Sequence, residues 1–566
     1  TKKGKQAWVE PIVDAAAKTV RFEVKTGTGS PPEGTVNRRG ARCIVCGSSV
    51  PFEHVRREGK ERGLGVRLMA VVAEGKRGRV YVAPDDAQTI VAKSAQPPWK
   101  PDAALPHNPR DFKTPNYGMT TFADLFTDRQ LVALTTFSDL VSEARQRVLH
   151  DAEEAVAAGA WPVGASFAAT DPAQSSVAPR FAATGSAPAG QVPSPSPADS
   201  SPDEAGEPTA TVSGYADAVA TYLAFPVDRG ADYWSTIATW HSGNQQVRCT
   251  FARQAIPMTW DFVEANPFSG SSGGWESLHD STVGAMATIP ASRSAVVKQL
   301  DVVAAQVPSS AYLVSTDPPY YDNIGYADLS DYFYVWLRRS VGTLYPELMS
   351  TLTVPKTQEL VASSYRFPEG KRQAKEFFED GLRQAFARIH GAADPRFPLT
   401  VYYAFKQSET HLEEHGSVST GWQTMLESLL RAGFTVEGTW PVRSELVSRI
   451  LGHDANTLAS SVVLACRPRR DDAPLASRRE FLSALKAELP DALRHLQRGN
   501  IAPVDLAQAS IGPGMGVFSR YRKVLEADGS AMSVRTALAL INQALDEILA
   551  EQEGEFDADT RWALAW

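Results

Sequence analysis

Asp317-Pro318-Pro319-Tyr320 is the segment of this sequence whose residue types are best suited to chemistry. The exocyclic amine of a base such as adenine is a poor nucleophile, because its lone pair is delocalised into the ring. A carboxylate and a backbone carbonyl that accept its two N–H protons localise that pair, and they stabilise the positive charge that grows on nitrogen as a methyl group arrives. Asp317 and the carbonyl of Pro318 suit those two roles, and two consecutive prolines hold the carbonyl in a rigid extended corner. Tyr320 offers a ring for stacking on the base, which must be swung out of a duplex to be reached at all. The competing reading is a plain strand-ending turn, for which Asp and Pro are ordinary choices. From average residue usage the tetrapeptide arises by chance on the order of once in a hundred chains of this length.

Other residues can be set beside this segment. Tyr321 follows it directly as a candidate substrate contact, and Lys406-Gln407 ends the next strand on the same rim, where Lys406 can reach a target nucleotide or cofactor or simply be solvated. Asn266-Pro267-Phe268-Ser269-Gly270-Ser271 mimics a nucleotide-cofactor loop, with Asn266 and Phe268 as its candidate contacts; a Gly/Ser turn is the bland alternative. Cys43-Ile44-Val45-Cys46-Gly47 is half of a zinc ribbon, since tetrahedral zinc needs two further ligands beyond Cys43 and Cys46. His54 is a candidate third ligand, Cys249 and Cys466 have no cysteine near them in sequence, and a degenerate ribbon held by strand packing is the alternative. Basic runs at Arg56-Arg57 to Arg67, Lys76 to Arg79 and Arg467 to Arg470 can follow phosphates, although most such runs are solvated faces.

The elements that position these residues follow from periodicity. Ala311 to Thr316 is a buried-strand pattern that must end at the two prolines. The next helix carries Leu329, Tyr332, Phe333, Trp336 and Leu337 at helical spacing. A helix with Phe377, Phe378, Leu382, Phe386 and Ile389 precedes a strand from Leu399 to Phe405, and a helix from Trp422 is capped by Gly433. Phe434 to Trp440 and Ser461 to Arg467 then make two strands. That order is the later half of a Rossmann-like α/β sheet, including a closing antiparallel strand, so residues 295–470 are expected to form the catalytic domain.

Residues 1–98 read as a small β-rich, ribbon-like module with strands at Ala7 to Val13, Val20 to Val24, Leu68 to Ala73 and Arg79 to Val82. Residues 99–163 read as a helical layer, and the Ala/Pro/Ser-rich residues 164–213 as a flexible linker. Residues 214–294 read as a helical and irregular insert suited to target recognition, helical from Tyr215 to His241 and strand-like from Met258 to Phe262. Residues 471–566 read as an all-helical C-terminal region.

Composition bounds the class. With 566 residues, 43% of them apolar, the chain can bury a large core, and four cysteines make no disulfide framework. No apolar run approaches the roughly 20 residues of a membrane span, so a cytoplasmic location without a membrane partner is expected. A net charge of −8 leaves nucleic-acid binding open, because phosphate contacts depend on local basic clusters. The chain opens in a strand-like stretch and closes in a helical one, so both ends are expected to be cuts through folded elements of a longer protein.

Taken with Lys3-Gly4-Lys5-Gln6-Ala7-Trp8-Val9, Tyr117-Gly118-Met119, Arg129-Gln130-Leu131, Trp240-His241-Ser242-Gly243 and Asn266-Pro267-Phe268-Ser269, the motif Asp317-Pro318-Pro319-Tyr320-Tyr321-Asp322 resembles a family of large bacterial and archaeal adenine-specific DNA methylases that contain a zinc-ribbon insert. The resemblance spans nearly the whole chain. It implies a class I methyltransferase sheet, S-adenosylmethionine as methyl donor, double-stranded DNA as partner, and a place in a restriction or phage-defence system beside other defence proteins. It also implies that the main glycine-rich cofactor loop and the second cysteine pair lie upstream of Thr1, so that the missing N-terminal part is a partner of this chain. Asp rather than Ser or Asn at position 317 favours adenine; transfer to cytosine N4, RNA or a protein amide, or a nucleic-acid-binding subunit without catalysis, are the alternatives.

Overall fold

The computed structural model describes residues 6–37, 40–76, 78–160, 211–289, 295–305, 312–321, 324–403, 420–443, 460–498 and 503–554. The linker expected at 164–213 therefore lies almost wholly outside the described residues. The chain divides into two compact units, Thr1–Lys298 with Asp328–Val354, and Gln299–Ala327 with Pro355–Trp566. Among the described residues no helix is long and apolar enough to cross a membrane.

In the first unit, β1 (Gln6–Asp14) and β2 (Thr19–Gly27) form an antiparallel hairpin. The short strands β3 (Val36–Asn37), β4 (Gly40–Arg42) and β5 (Ser49–Val50) make a second sheet, and β6 (Val71–Gly75) with β7 (Gly78–Val82) a third. Two helices interrupt what reads as purely β sequence, α1 (Phe52–Arg62) and α2 (Asp86–Lys93). Neither has an apolar stripe to betray it. α1 instead packs through Gly59, where a Cβ would lie 2.5 Å from the Tyr117 carbonyl, and α2 starts on a reciprocal cap between Asp85 and Gln88.

The first unit's core belongs to α3 (Asp128–Ala157), α4 (Val212–Tyr233) and most of α6 (Tyr326–Val341), which bury Leu131, Leu134, Val227, Ala231, Tyr332 and Trp336. The Tyr332 hydroxyl donates to the Ala231 carbonyl at 2.7 Å. α6 presents the apolar face expected of it, but from Asp328 onward to the first unit rather than to the sheet that follows. Helical structure was expected through His241. α4 ends earlier, at Tyr233, where the Ser235 hydroxyl accepts from the Ile237 and Ala238 amides and turns the chain away. Trp240 and His241 then lie on β8 (Thr239–His241), paired with β9 (Gln246–Arg248). Met258 to Phe262 forms no strand, touching the sheet only through a single bridge from Phe262 to Thr239, and α5 (Trp275–Met286) follows.

The second unit is built on a four-stranded sheet. Its order is β10 (Ser315–Thr316), β11 (Leu399–Tyr403), β13 (Ser460–Pro468) and β12 (Phe434–Arg443). β10 and β11 run parallel, whereas β13 is antiparallel to both of its neighbours. α7 (Lys371–Ala392) crosses from β10 to β11, and α8 (Thr420–Arg431) from β11 to β12. Gly433, at a φ of 91°, ends α8 as its sequence requires. β10 is shorter than expected and stands at the sheet's edge, so Tyr312 and Leu313, read as buried, are exposed.

The C-terminal residues do not stand apart. β14 (Leu475–Ser477), α9 (Arg478–Arg498), α10 (Pro503–Ser519), β15 (Lys523–Leu525) and α11 (Val534–Gly554) contribute Phe481, Leu485, Met515, Leu538 and Ile541 to the same core as Phe378, Val401 and Phe434. The region is also not wholly helical, since β14 and β15 pair in parallel.

Candidate active site

β10 is held by β11 before it reaches the prolines. The Thr400 amide donates to the Val314 carbonyl at 3.1 Å, and the Thr400 hydroxyl donates to Ser315 Oγ at 2.8 Å. The strand then runs out at Asp317, because Pro318 and Pro319 have no N–H to continue the ladder. At that C-terminal rim Pro318 is buried, while Asp317 and Pro319 are exposed and Tyr320 is half-buried. Asp317 therefore stands exposed beside a buried proline whose carbonyl has no backbone donor among the described residues.

Aromatic rings continue the rim. The Tyr320 hydroxyl reaches Asp317 Oδ1 at 3.5 Å, and its ring meets Tyr403 edge-on with centroids 5.1 Å apart. Tyr403, the last residue of β11, in turn packs against Trp422 in the first turn of α8 at 5.4 Å. Trp422 is buried, and its indole N–H has no partner among the described residues, an uncommon condition for a buried donor. Neither Tyr403 nor Trp422 stands out in the sequence. The usable signal is their position, at a strand's C-terminal end and at the start of the following helix, where open α/β sheets bind ligands.

Tyr321, the other candidate substrate residue of this segment, is half-buried. Its ring stands edge-on to Phe378 of α7 at 5.2 Å, and its carbonyl accepts from the Ala362 amide at 2.9 Å. Lys406 lies outside the described residues. A cavity of about 300 Å³ in the same unit is lined by Leu300, Val302, Leu313, Val314, Arg388 and Ile389. It lies beside the start of β10, and none of the four motif residues lines it.

Asn266 and Phe268 belong to the first unit and the proline motif to the second. Their turn satisfies itself: Asn266 Oδ1 accepts from the Phe268 amide at 3.0 Å, the Ser269 hydroxyl donates to the Asn266 carbonyl, and the Trp275 amide donates to the Pro267 carbonyl. Phe268 is 86% exposed. With no strand leading into it, this turn does not have the strand-loop-helix form that cradles a nucleoside cofactor, so Asn266 and Phe268 do not fit an S-adenosylmethionine cradle.

Cys43 and Cys46 sit in the turn between β4 and β5, closed by the Cys43 amide on the Ser48 carbonyl and the Gly47 amide on the Cys43 carbonyl. The Ser48 hydroxyl beside Cys46 Sγ, 3.2 Å away, lowers the Cys46 thiol's pKa, and Cys43 adds to the effect. His54 Nδ1 is engaged by Arg57 Nη2 at 3.0 Å. Among the described residues no group of three or more His, Cys, Asp or Glu side chains is arranged to hold a metal, so two thiols alone do not fit a tetrahedral zinc.

The basic runs divide. Arg467 pairs with Glu437 and Arg470 with Asp472, whereas in the first unit Arg56 lies over the Tyr117 ring and Arg79 over Trp240. With this geometry in hand, comparison with known proteins adds no family: no family model, no curated protein and no solved structure matches the chain.

Proposed function

We propose that this protein takes part in S-adenosylmethionine-dependent methylation of the exocyclic amine of adenine in double-stranded DNA. The observation that carries the reading is the exposed Asp317 at the C-terminal end of β10, next to a Pro318 carbonyl that accepts no backbone hydrogen bond from a described residue. The sheet supports it further: the order β10-β11-β13-β12, with β13 antiparallel between two strands, agrees with what the resemblance implies for the later half of a class I methyltransferase sheet.

In this reading the flipped adenine lies against Tyr320 and donates its two amine protons to Asp317 and to the Pro318 carbonyl. The nitrogen lone pair is thereby localised and aimed, and the charge that develops on nitrogen is met by a carboxylate already in place. Asp317 accepts the proton that the methylated nitrogen must lose, or hands it to water. S-adenosylmethionine would supply the methyl group as co-substrate, its S–CH3 bond breaking as the N–CH3 bond forms and S-adenosylhomocysteine leaving; its cradle is not among the residues described. A role in a restriction or phage-defence system beside other defence proteins accompanies this reading as part of the same resemblance.

The test is sequencing of DNA from cells that carry the gene encoding this chain, read for N6-methyladenine at recurrent sites. Methylation with the native protein and none with Asp317→Ala is expected. Modified adenine at the same level with Asp317→Ala removes that carboxylate from the reaction, and modified cytosine instead of adenine moves the reading to another planar amine.

A further inference from the structure

The segment that follows the proline motif is pinned at two points by a stretch of chain far from it in sequence. The carbonyl of Tyr321 accepts from the Ala362 amide at 2.9 Å. Six residues later the amide of Ala327, in the first turn of α6, donates to Glu359 Oε1 at 2.8 Å. The other carboxylate oxygen of Glu359 meets Arg366 Nη1 at 2.7 Å, and both side chains are largely buried, 19% and 15% exposed.

The pinning stretch is itself fixed. Val361, Ala362 and Ser363 are buried, and Leu360 is seated so closely on α7 that a Cβ at Gly381 would lie 2.3 Å from its Cδ2. Nothing about a helix start requires a buried carboxylate held by an arginine, because Ser, Thr, Asp or Asn next to the helix usually satisfies the first-turn amides. Here the acceptor comes from 32 residues away, and its charge is stabilised both by the helix N-terminus and by a cation.

We propose that Glu359 and Arg366 are positioning residues for the proline motif: they anchor the far end of the chain leaving Tyr320, so that Tyr320 and Asp317 hold one geometry when the base arrives. The inference rests on the proposed function for its consequence in turnover, but the anchoring is separable from it. Their effect on Tyr320 acts through the two pinned points, the Tyr321 carbonyl on the Ala362 amide and the Ala327 amide on Glu359.

The test is hydrogen exchange of the full chain, read on peptides covering 319–328 and, as a control, β11. Glu359→Ala is expected to speed exchange within 320–327 by about tenfold or more and to leave β11 unchanged, with Glu359→Gln in between, because it keeps an acceptor for the Ala327 amide but loses the charge. Unchanged exchange in 320–327, or equal acceleration in β11, would overturn the assignment. Should Glu359→Ala fail to fold, Glu359→Gln and Arg366→Lys read the same peptides. In methyl transfer to an adenine-containing duplex, a fall in kcat of about tenfold with KM for DNA nearly unchanged is expected, whereas a loss confined to KM contradicts positioning. Absence of N6-methyladenine in the DNA of cells that carry the native gene sinks the functional reading, and the exchange comparison still decides the anchoring.

Discussion

Asp317 works, in the proposed reaction, through what surrounds it only lightly: one long hydrogen bond from Tyr320 and open space for a donor. Its replacement by Ala is therefore expected to act on activity alone, since exposed substitutions away from buried networks shift stability by roughly half a kcal/mol or less. Cys466 is the opposite case. Burial within the sheet's core pushes its thiol up to about 12, with Glu437 adding to the effect, against an ordinary value of 9.0. The unfolded chain ionises this thiol first, so its contribution to stability is whole below pH 9.0 and is lost as pH rises toward about 12, at up to about 1.4 kcal/mol per pH unit. Urea unfolding at pH 8 and pH 10.5 should thus show a steeper loss in the native protein than in Cys466→Ala. Parallel losses would mean that the thiol titrates alike in both states.

Elements meet most tightly where a glycine allows it. α10 lies on β12 through Gly512, where a Cβ would fall 2.0 Å from Thr439 Cγ2, while the Thr439 hydroxyl donates to the Ala509 carbonyl at 2.9 Å. We expect Gly512→Ala to destabilise the protein by about 1–3 kcal/mol through overpacking, despite alanine's better helix propensity. An unchanged or raised urea midpoint would show that the two elements can separate without cost. At this scale much was legible. The apolar spacing of α7, the cap at Gly433 and the strand break at Pro318 follow from local chemistry. α1 was not, because a strongly charged helix with only Phe52 and Val55 as large apolar residues leaves a faint periodic trace, and neither was β8, because the chain turns away after α4 at the Ser235 hydroxyl rather than at a Gly or Pro.

Across the molecule, the second unit keeps one core from β11 to α11, to which Phe481, Leu485, Leu489 and Leu493 of α9 contribute beside Phe434 and Val436. A chain ending at Arg470 would lose these side chains, each worth about 2–5 kcal/mol when fully buried, against a typical total stability of about 5–15 kcal/mol. We expect such a truncation to be insoluble or molten. A soluble product with the native chain's circular dichroism over the sheet would show that the C-terminal helices are dispensable.

The sequence by itself determined where strands must stop, which helices are amphipathic and where a carboxylate stands beside two prolines, because these depend on neighbours within a turn or two of the same chain. Tertiary structure alone decided that β13 inserts between β11 and β12, that Tyr403 rather than Tyr402 meets Tyr320, and that α6 from Asp328 onward belongs to the first unit. It also decided that Glu359 reaches Ala327. Each of those joins groups distant along the chain, and their partners are chosen by competition for burial and hydrogen bonds across the whole fold, which no local spacing encodes.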